Sequence, residues 1–131
     1  MRKKDHCLNF NCAIFIVLLF LYIRCAARHN VMKEVLRFIE CTQLPVYVAP
    51  MAKGSIDENH PQFRGVFAGN CSTELIQKEV YGADLILSIG SMNSDFNTGG
   101  FTYRLSQKKT IGKFFFLIKF FFKIIDGLSN L

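Results

Sequence analysis

At 131 residues the chain has room for one domain at most, and with half its residues hydrophobic and a fifth charged it is no disordered polyelectrolyte. The formal charge of +6 sits mostly at the ends: residues 1–24 carry four basic and one acidic side chain, residues 112–131 three and one, and the middle nine and eight. That distribution argues against a basic face on the folded part, and so against a nucleic-acid partner. Five cysteines, Cys7, Cys12, Cys25, Cys41 and Cys71, form no CxxC and match no zinc or disulfide framework. They read as reduced thiols of a cytosolic protein.

Taken in order, residues 1–24 open with Arg2, Lys3 and Lys4 before an apolar run, Ala13 to Ile23, which leads to Cys25-Ala26-Ala27. That is the layout of a secretory signal. The run is shorter than the about 20 residues that span a bilayer. It also reads as a buried strand, because Ile14, Phe15, Ile16 and Val17 favour extended backbone and a parallel-sheet strand is apolar on both faces. A third reading is translated intron.

From Asn30 the spacing turns helical. Asn30 is a candidate N-cap with Glu34 in an early turn, and Val31, Val35, Leu36, Phe38 and Ile39 form one stripe. The helix should end near Thr42, ahead of Pro45. Val46-Tyr47-Val48 makes a short strand closed by Pro50, and a polar loop through His60-Pro61 follows. Gly65 and Gly69 bracket a second short strand, Val66-Phe67-Ala68.

Ser72 or Thr73 should cap a second helix with a Leu75, Ile76, Glu79, Val80, Ala83 stripe and Gly82 near its end. Asp84 to Gly90 is the clearest strand, a continuous aliphatic run with glycine at its exit. A loop spans Ser91 to Gly100, and a further strand starts at Thr110-Ile111. Alternating strands and helices predict an α/β fold, a Rossmann-like parallel sheet with right-handed crossovers. Ligands of such sheets sit beyond the carboxyl ends of the strands, where loops 50–61 and 90–100 would lie. The chain has no GxGxxG and no GxxxxGK[ST].

Four motifs in order carry a resemblance: PMAKGSIDENHP at 50–61, GVFAG at 65–69, ADLILSIG at 83–90 and SDFNTG at 94–99. Together they resemble the central domain of thiamine diphosphate-dependent 2-oxo acid decarboxylases, in the branch of the fungal-type pyruvate decarboxylases. Cys25-Ala-Ala-Arg28-His29 is similar to the part just after that domain's first strand. The likeness covers residues 25–111, a partial central domain between an apolar tail at 1–24 and a Phe/Lys-rich tail at 112–131.

The resemblance implies a lyase family using thiamine diphosphate and magnesium, cytoplasmic and homo-oligomeric. It also implies that neither cofactor is held by this chain alone. The activating glutamate, the histidine pair and the Gly-Asp-Gly…Asn sequence belong to other domains of the family, and no residue here matches a catalytic or metal-binding position. The expected partners are other decarboxylase domains or subunits.

The resemblance also implies candidate activator-site residues, Cys25 with Arg28 and His29, where a thiolate would add to an activator's carbonyl. The alternative is a small core cysteine beside solvated Arg28 and His29. At the strand ends Asp95, Asn97 and Thr98 either bind a ligand or form the Asx-type turn that shapes their loop. Lys53 either meets an anion or is a solvated loop lysine. Ala52 stands where many relatives have glycine, and would be strained if the position needs positive φ.

The carboxyl tail GKFFFLIKFFFKIIDGLSNL holds six of the fourteen phenylalanines. It reads as translated intron, or, if genuine, as a basic amphiphilic segment for a membrane surface in a small secreted or membrane-associated protein. A third reading of the whole chain is a regulatory module that docks on full-length decarboxylase. A partial sheet should leave an open edge beside Ile111 and be marginally stable.

Overall fold

The computed structural model describes residues 32–90 and 92–112, and the backbone of residues 17–21. Five strands form one sheet: β1 (Val17–Leu21), β2 (Val46–Val48), β3 (Phe63–Val66), β4 (Leu85–Ile89) and β5 (Thr110–Ile111). Among the described residues two α-helices, α1 (Met32–Thr42) and α2 (Glu74–Tyr81), accompany them. The strand order is β3-β2-β1-β4-β5 and every neighbouring pair is parallel. The α/β, Rossmann-like parallel class read from the sequence is therefore the fold observed.

The sheet reaches ahead of Cys25, where the sequence reading begins the domain. Of the three readings of the apolar run, residues 17–21 take the strand: β1 is the central strand, with Leu19 opposite Val46 on one side and Leu87 on the other. The signal, intron and membrane readings of the rest of both tails lie outside the described residues. Among the described residues no helix is long and apolar enough to cross a membrane.

The helix α1 follows its stripe. Val35, Phe38 and Ile39 are buried, at about 1.5–3 kcal/mol each for such side chains. Leu36 departs from the stripe and is exposed. The helix ends as Gln43 enters the left-handed region at φ 55° and donates its N–H to the Ile39 carbonyl at 2.9 Å. Every residue of β2 is buried, as expected of an inner parallel strand with cover on both faces.

Two expectations shift. The strand read at Val66–Ala68 lies instead at Phe63–Val66. Phe67 still donates its N–H to Val48 O at 2.9 Å, but the Ala68 N–H goes to the Ser72 hydroxyl and Gly69 turns the chain at φ 56°. For the same reason neither Ser72 nor Thr73 caps α2 through its side chain. Ser72 is committed to Ala68, and Thr73, at the cap position, makes no such bond. On α2, Val80 is buried and Ile76 packs on the core, whereas Leu75 is 67% exposed.

Tyr47 crosses from β2 to α2, its buried phenol donating to the Glu79 carboxylate. Burial, and then that bond and the charge of Glu79, push the phenol well above the usual tyrosine range. At the far margin β5 has only two residues and pairs with β4 alone, so among the described residues its outer edge is open.

Candidate functional site

Parallel sheets of this kind place ligands where the strand order reverses, outside the carboxyl ends. Here the order reverses between β1 and β4. The loops that leave β2 and β4 meet at that end of the sheet. A turn of 3-10 helix, Pro50–Ala52, follows β2, and a chain of turns over 95–102 follows β4.

Asn97 joins the two loops. Its buried side chain accepts from Met51 N–H at 3.2 Å through Oδ1 and donates to Met92 O at 3.1 Å through Nδ2. Thr98, equally buried, donates its hydroxyl to Ser94 O at 2.7 Å and accepts from Phe101 N–H at 2.9 Å. Asp95 is exposed and its Oδ1 receives the Phe96 N–H at 2.7 Å. These bonds tie the three side chains to backbone within the loop and, through Met51, to the loop after β2.

The same loop packs against the turn after β3. Phe67 is fully buried, with its ring edge-on to Tyr81 of α2 at 5.6 Å and tilted against Tyr103 at 5.9 Å. Gly99 sits on the Ala68 carbonyl so closely that a Cβ there would lie 2.2 Å from the oxygen. Among the described residues the non-glycine residues with positive φ are Gln43 and Phe101, so Ala52 carries none of the feared strain.

Lys53 stands apart from this cluster. It is exposed, with Nζ 4.0 Å from Glu58, a surface pair of little energetic weight. Cys25, Arg28 and His29 lie outside the described residues. Cys41 is half-buried and Cys71 exposed, and neither is in a disulfide.

Sequence reasoning missed Ser88. It is buried in β4, and among the described residues its hydroxyl has no hydrogen-bond partner. A serine inside an aliphatic strand was the available signal.

A diphosphate cofactor with its metal needs a convergent set of oxygen ligands. Among the described residues no group of three His, Cys, Asp or Glu side chains converges to hold an ion. The buried polar groups at the strand ends, Asn97 and Thr98, are already hydrogen-bonded within their own loops. The described residues thus present no cradle for such a group.

Residues 20–113 match the family described as thiamine pyrophosphate enzyme, central domain. A pyruvate decarboxylase of Hanseniaspora uvarum is 51% identical over 87 residues, and pyruvate decarboxylase isozyme 3 of Saccharomyces cerevisiae 49% over the same length. One from Aspergillus fumigatus is 52% identical over 87 residues. Each alignment covers 66% of this chain but only 15–16% of the relative's length. The match over residues 20–113, with relatives about half identical beside it, shows that the chain belongs to the thiamine pyrophosphate enzyme family, through its central domain.

Proposed function

We propose that the chain is the central scaffold of a thiamine diphosphate-dependent decarboxylase of pyruvate or a related 2-oxo acid, and is not catalytic by itself. The observation that carries this reading is the 87-residue match to pyruvate decarboxylases at about half identity. What supports the second clause is the chemistry of the described residues, whose buried polar groups hold loops together. On this reading the thiamine diphosphate and its magnesium are held elsewhere in the assembly, and the protein is cytoplasmic.

Docking on other decarboxylase domains or subunits is favoured by what the strand-end loops expose. Met51, Met92, Phe96 and Phe101 are all exposed at or beside the Asn97 clamp, and among the described residues β5 leaves a strand edge unpaired. Within that assembly Cys25, flanked by Arg28 and His29, would serve activation, its thiolate adding to the carbonyl carbon of an activator.

Calorimetric titration of the purified chain with thiamine diphosphate and magnesium tests the reading. No saturable binding is expected from the chain alone, and tight binding refutes it. Co-elution with a full-length fungal pyruvate decarboxylase tests the docking clause. Separate elution at all concentrations counts against that clause only.

A further inference from the structure

On the face of the sheet that carries α2, a groove of ≈ 490 Å³ opens between α2 and the chain returning to β5. Its size falls within the about 300–1,000 Å³ of small-molecule sites, which pair an apolar floor with a few polar groups. The floor is built from Val80, Ala83, Ile86 and Leu105. Arg104 and Lys109 supply its charge, and among the described residues no carboxylate lines it.

The walls are fixed in place. Tyr81, the wall on α2, packs edge-on to the ring of Phe67 at 5.6 Å, and Tyr103, next in chain to the lining residues Thr102 and Arg104, packs on the same ring at 5.9 Å. Thr102, at one end, accepts the Asn70 N–H at 2.9 Å and donates back to the Gly99 carbonyl at 2.8 Å. At the other end Lys109 Nζ donates to Ala83 O at 3.2 Å, which holds the ammonium at the rim with two N–H groups to spare. Among the described residues no acceptor engages the guanidinium of Arg104.

A pre-formed apolar floor beneath two cations, one of them a planar five-donor fork, selects a particular chemistry. We propose that this groove binds a small organic anion with an apolar body, its carboxylate or phosphate taken by Arg104 and steadied by Lys109. The inference is independent of any decarboxylase role. It follows from local sign and shape, since residues 25–111 as a whole are nearly neutral.

The test uses the full chain and three probes: phenyl phosphate, benzoate and inorganic phosphate. Ligand-observed saturation-transfer NMR reads binding. Phenyl phosphate or benzoate should give a saturable signal, and which of them competes better identifies the anionic group. Inorganic phosphate should bind more weakly than phenyl phosphate, because the apolar floor adds to the grip.

Arg104→Ala should weaken binding about tenfold, the scale of one charge-assisted hydrogen-bonded contact. Arg104 is exposed, so this variant keeps its fold; circular dichroism checks that. Lys53→Ala, remote from the groove, should bind as the parent does. No saturable signal from the parent chain overturns the proposal, as does equal binding by Arg104→Ala and Lys53→Ala.

Discussion

Replacing Gly99 with alanine separates two costs that glycine usually hides together. Gly99 and Gly100 are consecutive left-handed residues, at φ 58° and 69°. A Cβ at Gly100 meets nothing within 4 Å, whereas one at Gly99 would lie 2.2 Å from the Ala68 carbonyl oxygen. That oxygen cannot step aside freely, because it receives the Cys71 N–H at 3.1 Å. Gly100→Ala should therefore cost only the left-handed backbone penalty, about 1–2 kcal/mol. Gly99→Ala should add the cost of displacing packed backbone, about 1–3 kcal/mol more.

For a domain of this size each 1 kcal/mol moves the melting temperature by about 4–8 °C. Gly99→Ala should thus lose roughly 8–40 °C and Gly100→Ala roughly 4–16 °C by the same scaling. Thermal melting followed by circular dichroism, with urea titration as a second probe, reads the difference. Equal losses in the two variants would refute the argument that the loop is seated on the turn after β3.

Asn97→Ala should destabilise by about 2–4 kcal/mol, because it strips the Met51 N–H and the Met92 carbonyl of their shared partner; urea denaturation checks this. Ser88→Ala should be neutral or stabilising by about 1 kcal/mol, since it removes a buried hydroxyl that has no partner; a lower urea midpoint would contradict that. Tyr47→Phe tests the alkaline limb. The folded phenol titrates above its unfolded value of about 10, so its contribution is complete below that pH and is lost as pH rises beyond it. The variant should show a shallower fall in stability above that pH than the parent, measured by urea midpoints across the range.

The fold was largely legible because its signals are local. Leu85–Ile89 is a short apolar run with glycine at its exit, the pattern of an inner parallel strand, and α1 buries the Val35, Phe38, Ile39 stripe that its spacing marks. What escaped was set by tertiary contacts. Phe67 and Ala68 look like strand residues, yet the Ser72 hydroxyl takes the Ala68 N–H and ends the ladder. Leu75 looks like a core position, yet α2 turns Val80 and Ile76 inward instead.

At the strand ends the sequence placed Asp95, Asn97 and Thr98 in the right loop and named both of their possible roles. It could not say that Asn97 reaches across to Met51, 46 residues earlier in the chain, because no local pattern encodes that pairing. A buried strand is one of three readings of the Ala13 to Ile23 run, and its bounds, Val17–Leu21, and its central place come from the sheet. Composition alone does not distinguish a signal segment from an inner strand.

The most direct measurement is carbon dioxide release from pyruvate by the purified 131-residue chain with thiamine diphosphate and magnesium supplied. The account predicts none above the rate without protein. Sustained release by this chain alone would contradict it.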